Sequence, residues 1–198
     1  MKRDTEKLKQ KLIATGVAEI EKKGIDQLSI RTVAQKCGVS HGAPYRHFGS
    51  KEGYLKVVLA EISLRLAKAS LEGLSERLPA RQQLSLMGAN LINFAKTSPY
   101  FFEVLLVKYP FSYLEILEDQ VELDCDLPGF QAFQKLVKDF RNEENLLVSE
   151  NDCLFHLWSY IAGLAILAQS QNGQDLSQAN IQKNIDTMLT IYIKGGKA

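Results

Sequence analysis

The stretch Ser29–Lys51, SIRTVAQKCGVSHGAPYRHFGSK, reads as a helix, a four-residue turn and a second short helix. Ser29 suits the N-cap of the first helix, and Leu28 before it can staple onto Val33, which fixes where that helix begins. Ile30, Val33, Ala34 and Cys37 then share one face at helical spacing and form a small apolar seam. Gly38 stands where the turn needs a left-handed backbone, and Val39 can fill the angle between the two helices. Ser40 is positioned to cap the second helix. From there the residues are short, polar or cationic (His41, Gly42, Ala43, Tyr45, Arg46 and His47), with Phe48 as the inward anchor. That composition suits a surface pressed against phosphates and base edges.

Around this unit stand an amphipathic first helix ending in Lys22-Lys23-Gly24, the segment Leu28 to Ala34, Gly38-Val39-Ser40, Gly42, Tyr45, His47-Phe48 and Ser50-Lys51-Glu52. In this order the residues resemble the N-terminal DNA-binding domain of the TetR family of bacterial transcriptional regulators. The resemblance implies a DNA-facing set of Ser29, Arg31, Thr32, Ser40, His41, Gly42, Ala43, Tyr45, Arg46, His47 and Lys51. Tyr45, His47 and Lys51 match positions that touch backbone phosphates in that family. Arg31 and Thr32 would approach phosphate from the other side, helped by free N–H groups at the helix start. His41 and Arg46 are the candidates for reading bases, with phosphate binding alone the other role open to Arg46. Two positions depart from the commoner pattern. Ala43 stands where a hydroxyl residue is frequent, so contact with a thymine methyl would replace a phosphate hydrogen bond. Pro44 is expected one turn into the recognition helix, where proline is normally disfavoured.

Charge is distributed unevenly along the 198 residues. Through Gly53 there are 11 Lys or Arg against 6 Asp or Glu; the remaining 145 residues carry 13 against 17. The basic end is the helix-turn-helix end, as expected when one domain neutralises phosphates and another does something else. An apolar content of 45% is enough for a real core. The charged start MKRDTEKLKQK lacks the apolar stretch of a signal peptide, and the longest apolar run, Tyr160 to Ala168, is short of a membrane span. Cys37, Cys125 and Cys153 are too few and too scattered for a disulfide framework. A cytoplasmic protein is expected.

Periodicity predicts an all-α chain. Leu8, Leu12, Ile13, Val17 and Ile20 form one stripe over 4–23, stopped by Gly24. Leu55, Val58, Leu59, Ile62, Leu66 and Ala69 keep helical spacing from Ser50 to about 72, ahead of Gly73 and Pro79. Further helices are expected near 80–97, 99–120, 128–144, 150–171 and 177–194, punctuated by Pro99, Pro110, Pro128-Gly129 and Asn172-Gly173. The expected organisation is a three-helix DNA-binding head over 1–52 and a helical ligand-binding and dimerisation bundle over 53–198.

The body is rich in aromatic residues. Tyr100, Phe101, Phe102, Tyr109, Phe111 and Tyr113 crowd 14 positions, and Phe94, Phe130, Phe133, Phe155 and Trp158 lie nearby in sequence. Such a set can line a pocket for a small hydrophobic ligand or simply fill a core; the family resemblance implies the pocket. The segment Trp158 to Leu164 is also weakly similar to a Trp…His-Gly-Leu signature of one class of TetR-type C-terminal domains, with Ala162 in place of the histidine. Two apolar stripes, Leu154, Leu157, Ile161, Ala165 and Ala168, then Ile181, Ile185, Met188, Leu189 and Tyr192, face either their own core or a dimer seam, and the resemblance implies the seam. Cys153 and His156, at i and i+3, supply only two metal ligands in an apolar stretch. The acidic run Glu115, Glu118, Asp119, Glu122, Asp124 and Asp126 reads as a solvated face. No phosphate loop, nucleophile–base pair or catalytic carboxylate pair is visible, so neither an enzyme nor a cofactor is expected. The expectation is a homodimeric repressor that binds a palindromic double-stranded operator and is released by a small-molecule effector. The alternative is a DNA-tethered protein-interaction module without such a ligand.

Overall fold

The computed structural model describes residues 2–108, 115–117, 120–122, 128–170 and 176–197, and these fold as a helical protein. They form two compact units, Met1–Arg65 with Tyr100–Lys108, and Leu66–Pro99 with Tyr109–Ala198. The first unit, which holds the helix-turn-helix, runs to Arg65 and takes in the distant segment Tyr100–Lys108.

In the head unit, α1 (Lys2–Lys23) buries Leu12, Val17 and Ile20 completely. Each such side chain contributes about 2 kcal/mol of hydrophobic free energy. α1 ends where Gly24 adopts φ 77 and its N–H bonds the Ile20 carbonyl at 2.8 Å. A 3₁₀ turn (Ile25–Gln27) leads to α2 (Ile30–Cys37). Ser29 Oγ caps α2 by accepting from the Thr32 N–H, and Gly38 ends it with φ 75 and ψ 30. The Val39 N–H then reaches back to the Ala34 carbonyl at 3.0 Å. α3 (Ala43–Phe48) ends at Gly49, and α4 (Lys51–Ser70) follows at once. α1, α2 and α3 pack on one another, with Ile30, Val33, Ala34 and Cys37 as the buried seam of α2.

The body unit is organised on α5 (Ala80–Thr97), against which α7 (Pro128–Glu144), α8 (Glu150–Ala168) and α9 (Gln178–Gly196) all pack. Gly88 of α5 makes this possible: a Cβ there would lie 2.8 Å from a methyl of Ile161 and 3.3 Å from one of Ile185. Arg81 of α5 donates to the Asp186 carbonyl and to Thr190 Oγ1 at 3.3 and 2.7 Å, and Ser85 donates to Asp186 Oδ1 at 2.5 Å.

The expected helix over 99–120 is the element that the structure corrects. Among the described residues of this stretch only α6 (Pro99–Phe102) is α-helical; it runs into a π-helical turn over Glu103–Lys108. Further on, β1 (Glu115–Leu117) and β2 (Gln120–Glu122) pair antiparallel, with Ile116 opposite Val121. The sequence carries its own stop at Pro110, which has no N–H to donate and clashes with a preceding helical turn.

Candidate nucleic-acid interface

α3 starts at Ala43 rather than after Ser40. Gly42 is the residue before it, with φ −82 and ψ −11, and Ala43 and Pro44 occupy the first helical turn. N–H groups in a first turn have no intrahelical acceptor, so proline there forfeits nothing, and its fixed φ suits the helix start. Ser40 is therefore not the cap. It opens a turn closed by the Ala43 N–H on the Ser40 carbonyl at 2.9 Å, while its hydroxyl accepts from Arg46 Nη2 at 3.4 Å. That bond holds the Arg46 guanidinium beside the turn, where base or phosphate would be met.

Burial sorts the expected contact residues. Ser29, Arg31, Ser40, His41, Tyr45, Arg46 and Lys51 are exposed, and Thr32, Gly42 and His47 are half-buried. Ala43 is 2% exposed, so its methyl packs inside the head and is not offered to a thymine. The cause is its place at the first position of α3, facing inward together with Pro44. His47 sits edge-on to Phe48, with centroids 6.3 Å apart, and Phe48 lies 5.3 Å from the ring of Tyr54. The recognition helix is thus anchored from beneath by aromatic contacts.

Several residues that set this geometry were not among those singled out. Lys11 reaches from α1 to the Cys37 carbonyl at 3.1 Å, putting a cation on the C-terminus of α2. Glu19 is buried, ion-paired with Lys36 of α2 and lying 3.8 Å from Lys23. The hydrogen bond and charge of Lys36 hold its carboxyl below the ordinary value of 4.5, against the opposing effect of burial. A signal did exist: Glu19 falls seven positions after Leu12, on the apolar face of α1. Gly53 packs so closely that a Cβ would lie 2.1 Å from the Phe48 carbonyl oxygen. This lets α4 start directly behind the recognition helix.

The distant segment of the head unit is held by specific contacts. The Tyr100 ring lies over Gly24, where a Cβ would be 3.2 Å from Cδ1, and Arg65 Cζ sits 5.8 Å from the Phe101 ring centroid. Lys108 pairs with Asp26, in the turn just before α2, and with Glu103 at 3.4 Å.

The aromatic residues expected to line one pocket are divided. Tyr100, Phe101 and Phe102 belong to the head unit, and Phe94, Phe130, Phe133, Phe155 and Trp158 to the body; Tyr109, Phe111 and Tyr113 lie outside the described residues. Phe94, Phe101 and Phe102 are buried, Phe130 and Phe133 form a half-buried edge-on pair 6.2 Å apart, and Phe155 faces outward. An open groove of about 250 Å³ in the body is lined by Gln134, Lys135, Lys138, Glu150, Asn151 and Leu154.

The two stripes expected at a dimer seam face the chain's own interior. Leu154, Leu157, Ala165, Ile181, Ile185 and Leu189 are buried, and Ile161, Ala168, Met188 and Tyr192 are half-buried, because α8 and α9 both turn these faces to α5. The apolar side chains left outside are Phe155, Ile166 (51% exposed) and Leu167 (64%) on α8 and Ile191 (65%) on α9. Of the Cys153 and His156 pair, Cys153 is buried, while His156 Nδ1 lies 3.0 Å from Tyr192 Oη. The side chains of the acidic run from Glu115 to Asp126 lie outside the described residues.

Comparison with known proteins bears on the head directly. Residues 12–58 match the family of bacterial regulatory proteins of the tetR type. Over these residues the head is similar to that family. Over 47 residues the chain is 43% identical to an uncharacterised HTH-type transcriptional regulator, YerO, of Bacillus subtilis (strain 168). That match covers 24% of this chain and 16% of the regulator's length, so it speaks for the head alone. The fold likeness extends further. A TetR-family transcriptional regulator from Vibrio parahaemolyticus superimposes with a TM-score of 0.61 at 21% identity, over 91% of this chain and 97% of that one. RolR in complex with resorcinol gives 0.66 at 12% identity, over 100% and 94%. Both units of the chain therefore share the fold of these structures.

Proposed function

We propose that this protein is a tetR-family, homodimeric, sequence-specific repressor whose head binds a palindromic operator and whose body releases it on binding a small hydrophobic or aromatic ligand. The observation that carries the DNA-binding half is the division of α3 and its turn. Ala43 and Pro44 pack inward, while Ser40, His41, Tyr45 and Arg46 stand at the surface, with Arg31 and Lys51 also exposed on the neighbouring helices. Tyr45, His47, Lys51, Arg31 and Thr32 position the head on phosphates, and His41 and Arg46 read bases.

Dimerisation is assigned to the outward faces of α8 and α9. Phe155, Ser159, Ala162 and Ile166 fall on one stripe of α8 flanked by Gly163 and Leu167, and Ile191 stands on α9. A dimer supplies two recognition helices for half-sites about 34–36 Å apart, or a multiple of that. The ligand half draws on the likeness to RolR with resorcinol and on the aromatic content of the body. Release is a population shift: the ligand favours a conformation whose two heads no longer match adjacent grooves. A coupling of about 1–3 kcal/mol lowers operator affinity roughly 5–150-fold. Two stretches of chain can carry it, α4 and the Tyr100–Lys108 segment that packs in the head unit.

Selection of bound sequences from random duplex DNA, with the winner retested at several salt concentrations, tests the proposal. A palindrome with a steep salt slope supports it; weak, sequence-indifferent binding refutes it.

A further inference from the structure

The segment Tyr100–Lys108 meets the turn between α1 and α2 with both of its ends. The Tyr100 ring lies over Gly24, where a Cβ would be 3.2 Å from Cδ1, and the Lys108 ammonium pairs with Asp26, two residues further along the same turn. Between these ends Phe101, Phe102, Val104 and Leu105 are buried, which fixes the backbone that carries Lys108. A π-helix closes its hydrogen bonds between residues five apart. Glu103 and Lys108, which an α-helix would set on different faces, therefore come together 3.4 Å apart. Glu103 steers the ammonium from one side and Asp26 takes it from the other. The hydrogen bond of Asp26 and the charges of both carboxylates hold the ammonium above its ordinary value of 10.5, so it is a full cation at any working pH.

Asp26 stands where a free carboxylate would do harm. Its side chain is 77% exposed, and it lies three residues before Ser29, the N-cap of α2. Three residues of chain reach at most about 11 Å, and less here because Ile25–Gln27 is a 3₁₀ turn. The start of α2, with Arg31 and Thr32, is the part of the head assigned to phosphate. A bare carboxylate within about one Debye length of that phosphate, roughly 8–10 Å, would repel it. Folding stability does not account for the pair, since an ion pair so open to water contributes little to it. π-Helical turns are rare and gather at functional sites, and this one sets Lys108 on Asp26.

We infer that Lys108 is a positioning residue for DNA: without touching the duplex, it masks the Asp26 carboxylate and keeps the start of α2 attractive to phosphate. This rests on the DNA-binding reading of the head and adds to it a determinant of affinity that lies outside the helix-turn-helix. Because the masking acts on backbone phosphate, it strengthens binding to all sequences alike.

The test uses the full chain and its Lys108→Met, Asp26→Asn and double variants, each binding a random-sequence duplex of about 30 base pairs at about 50 and 200 mM salt. K108M, which keeps the apolar stem, is expected to bind on the order of fivefold more weakly at the lower salt, with a difference that narrows at the higher. D26N is expected to bind at least as tightly as the parent. The double variant is expected to bind like D26N, because with no carboxylate there is nothing to mask. All the variants are expected to melt with the parent. A double variant as weak as K108M would make Lys108 a phosphate contact, and D26N as weak as K108M would make the pair a brace for the turn; either overturns the assignment. So does unchanged binding by K108M, or its failure to melt cooperatively. A parent that does not bind the duplex even at the lower salt refutes the DNA-binding reading itself.

Discussion

The hydroxyl of Tyr54 donates to the carbonyl of Leu12 at 2.8 Å, tying the first turn of α4 to the middle of α1 across 42 residues of sequence. Tyr54 is fully buried, and its ring end fills the space over Gly16, where a Cβ would lie 2.1 Å from Oη. Burial pushes the phenol well above its ordinary value, so it remains a donor throughout the working pH range. Tyr54→Phe should cost about 1 kcal/mol, the net worth of one hydrogen bond. Gly16→Ala should cost more, about 1–3 kcal/mol, since the fixed ring has to shift. Urea unfolding of the full chain measures both, and a G16A variant as stable as the parent would contradict the packing.

Glu19 makes head stability depend on acid. Its folded pKa lies below the ordinary 4.5 because Lys36 stabilises the carboxylate. The contribution is therefore complete above that value and is lost as pH falls through the lowered one. Glu19→Gln should unfold more readily near neutrality and show a flatter loss of stability on acidification. Melting curves from pH 7 to pH 3 make the comparison.

DNA contacts separate by how they fail. Lys51→Ala should weaken binding to all sequences alike and reduce the salt slope by about 1, and Tyr45→Ala should weaken it uniformly with little change in slope. Arg46→Ala should cost about 1–3 kcal/mol and relax preference at one base position, since Ser40 holds its guanidinium at the turn. Binding to a panel of single-base variants decides the matter: an equal loss across the panel would make Arg46 a phosphate contact.

The seam is tested by a pair of substitutions on different faces. Ile166→Asp puts a charge on the outward stripe of α8 and should give a folded monomer by sedimentation at micromolar concentration. Ile185→Asp, although on a stripe that the family resemblance implied for the seam, buries a charge against α5 and should abolish cooperative melting. A dimeric I166D protein would move the seam elsewhere.

Much of the fold was legible because local signals agreed. Ser29, Gly38 and Gly24 each mark a helix end through their own backbone or side-chain chemistry, and the helices they delimit lie where the periodicity put them. Ser40 misled because a good capping residue was available two positions before Gly42, whereas Pro44 decides the start by needing a first-turn place. The helix expected across 99–120 failed for a related reason, since apolar periodicity outweighed a single proline.

Local chemistry, then, was enough to specify the helix-turn-helix, the basic end and the helical class, because caps, turns and spacing act within a few residues of chain. Which face of an amphipathic helix meets its own core and which meets something else is not a local property. The stripes of α8 and α9 were equally good as core or seam until α5 was seen to take them, leaving Ile166, Leu167 and Ile191 outside. The same holds for Tyr54 over Gly16 and for Lys108 against Asp26. Each depends on which distant segment arrives at a given surface, and only packing decides that.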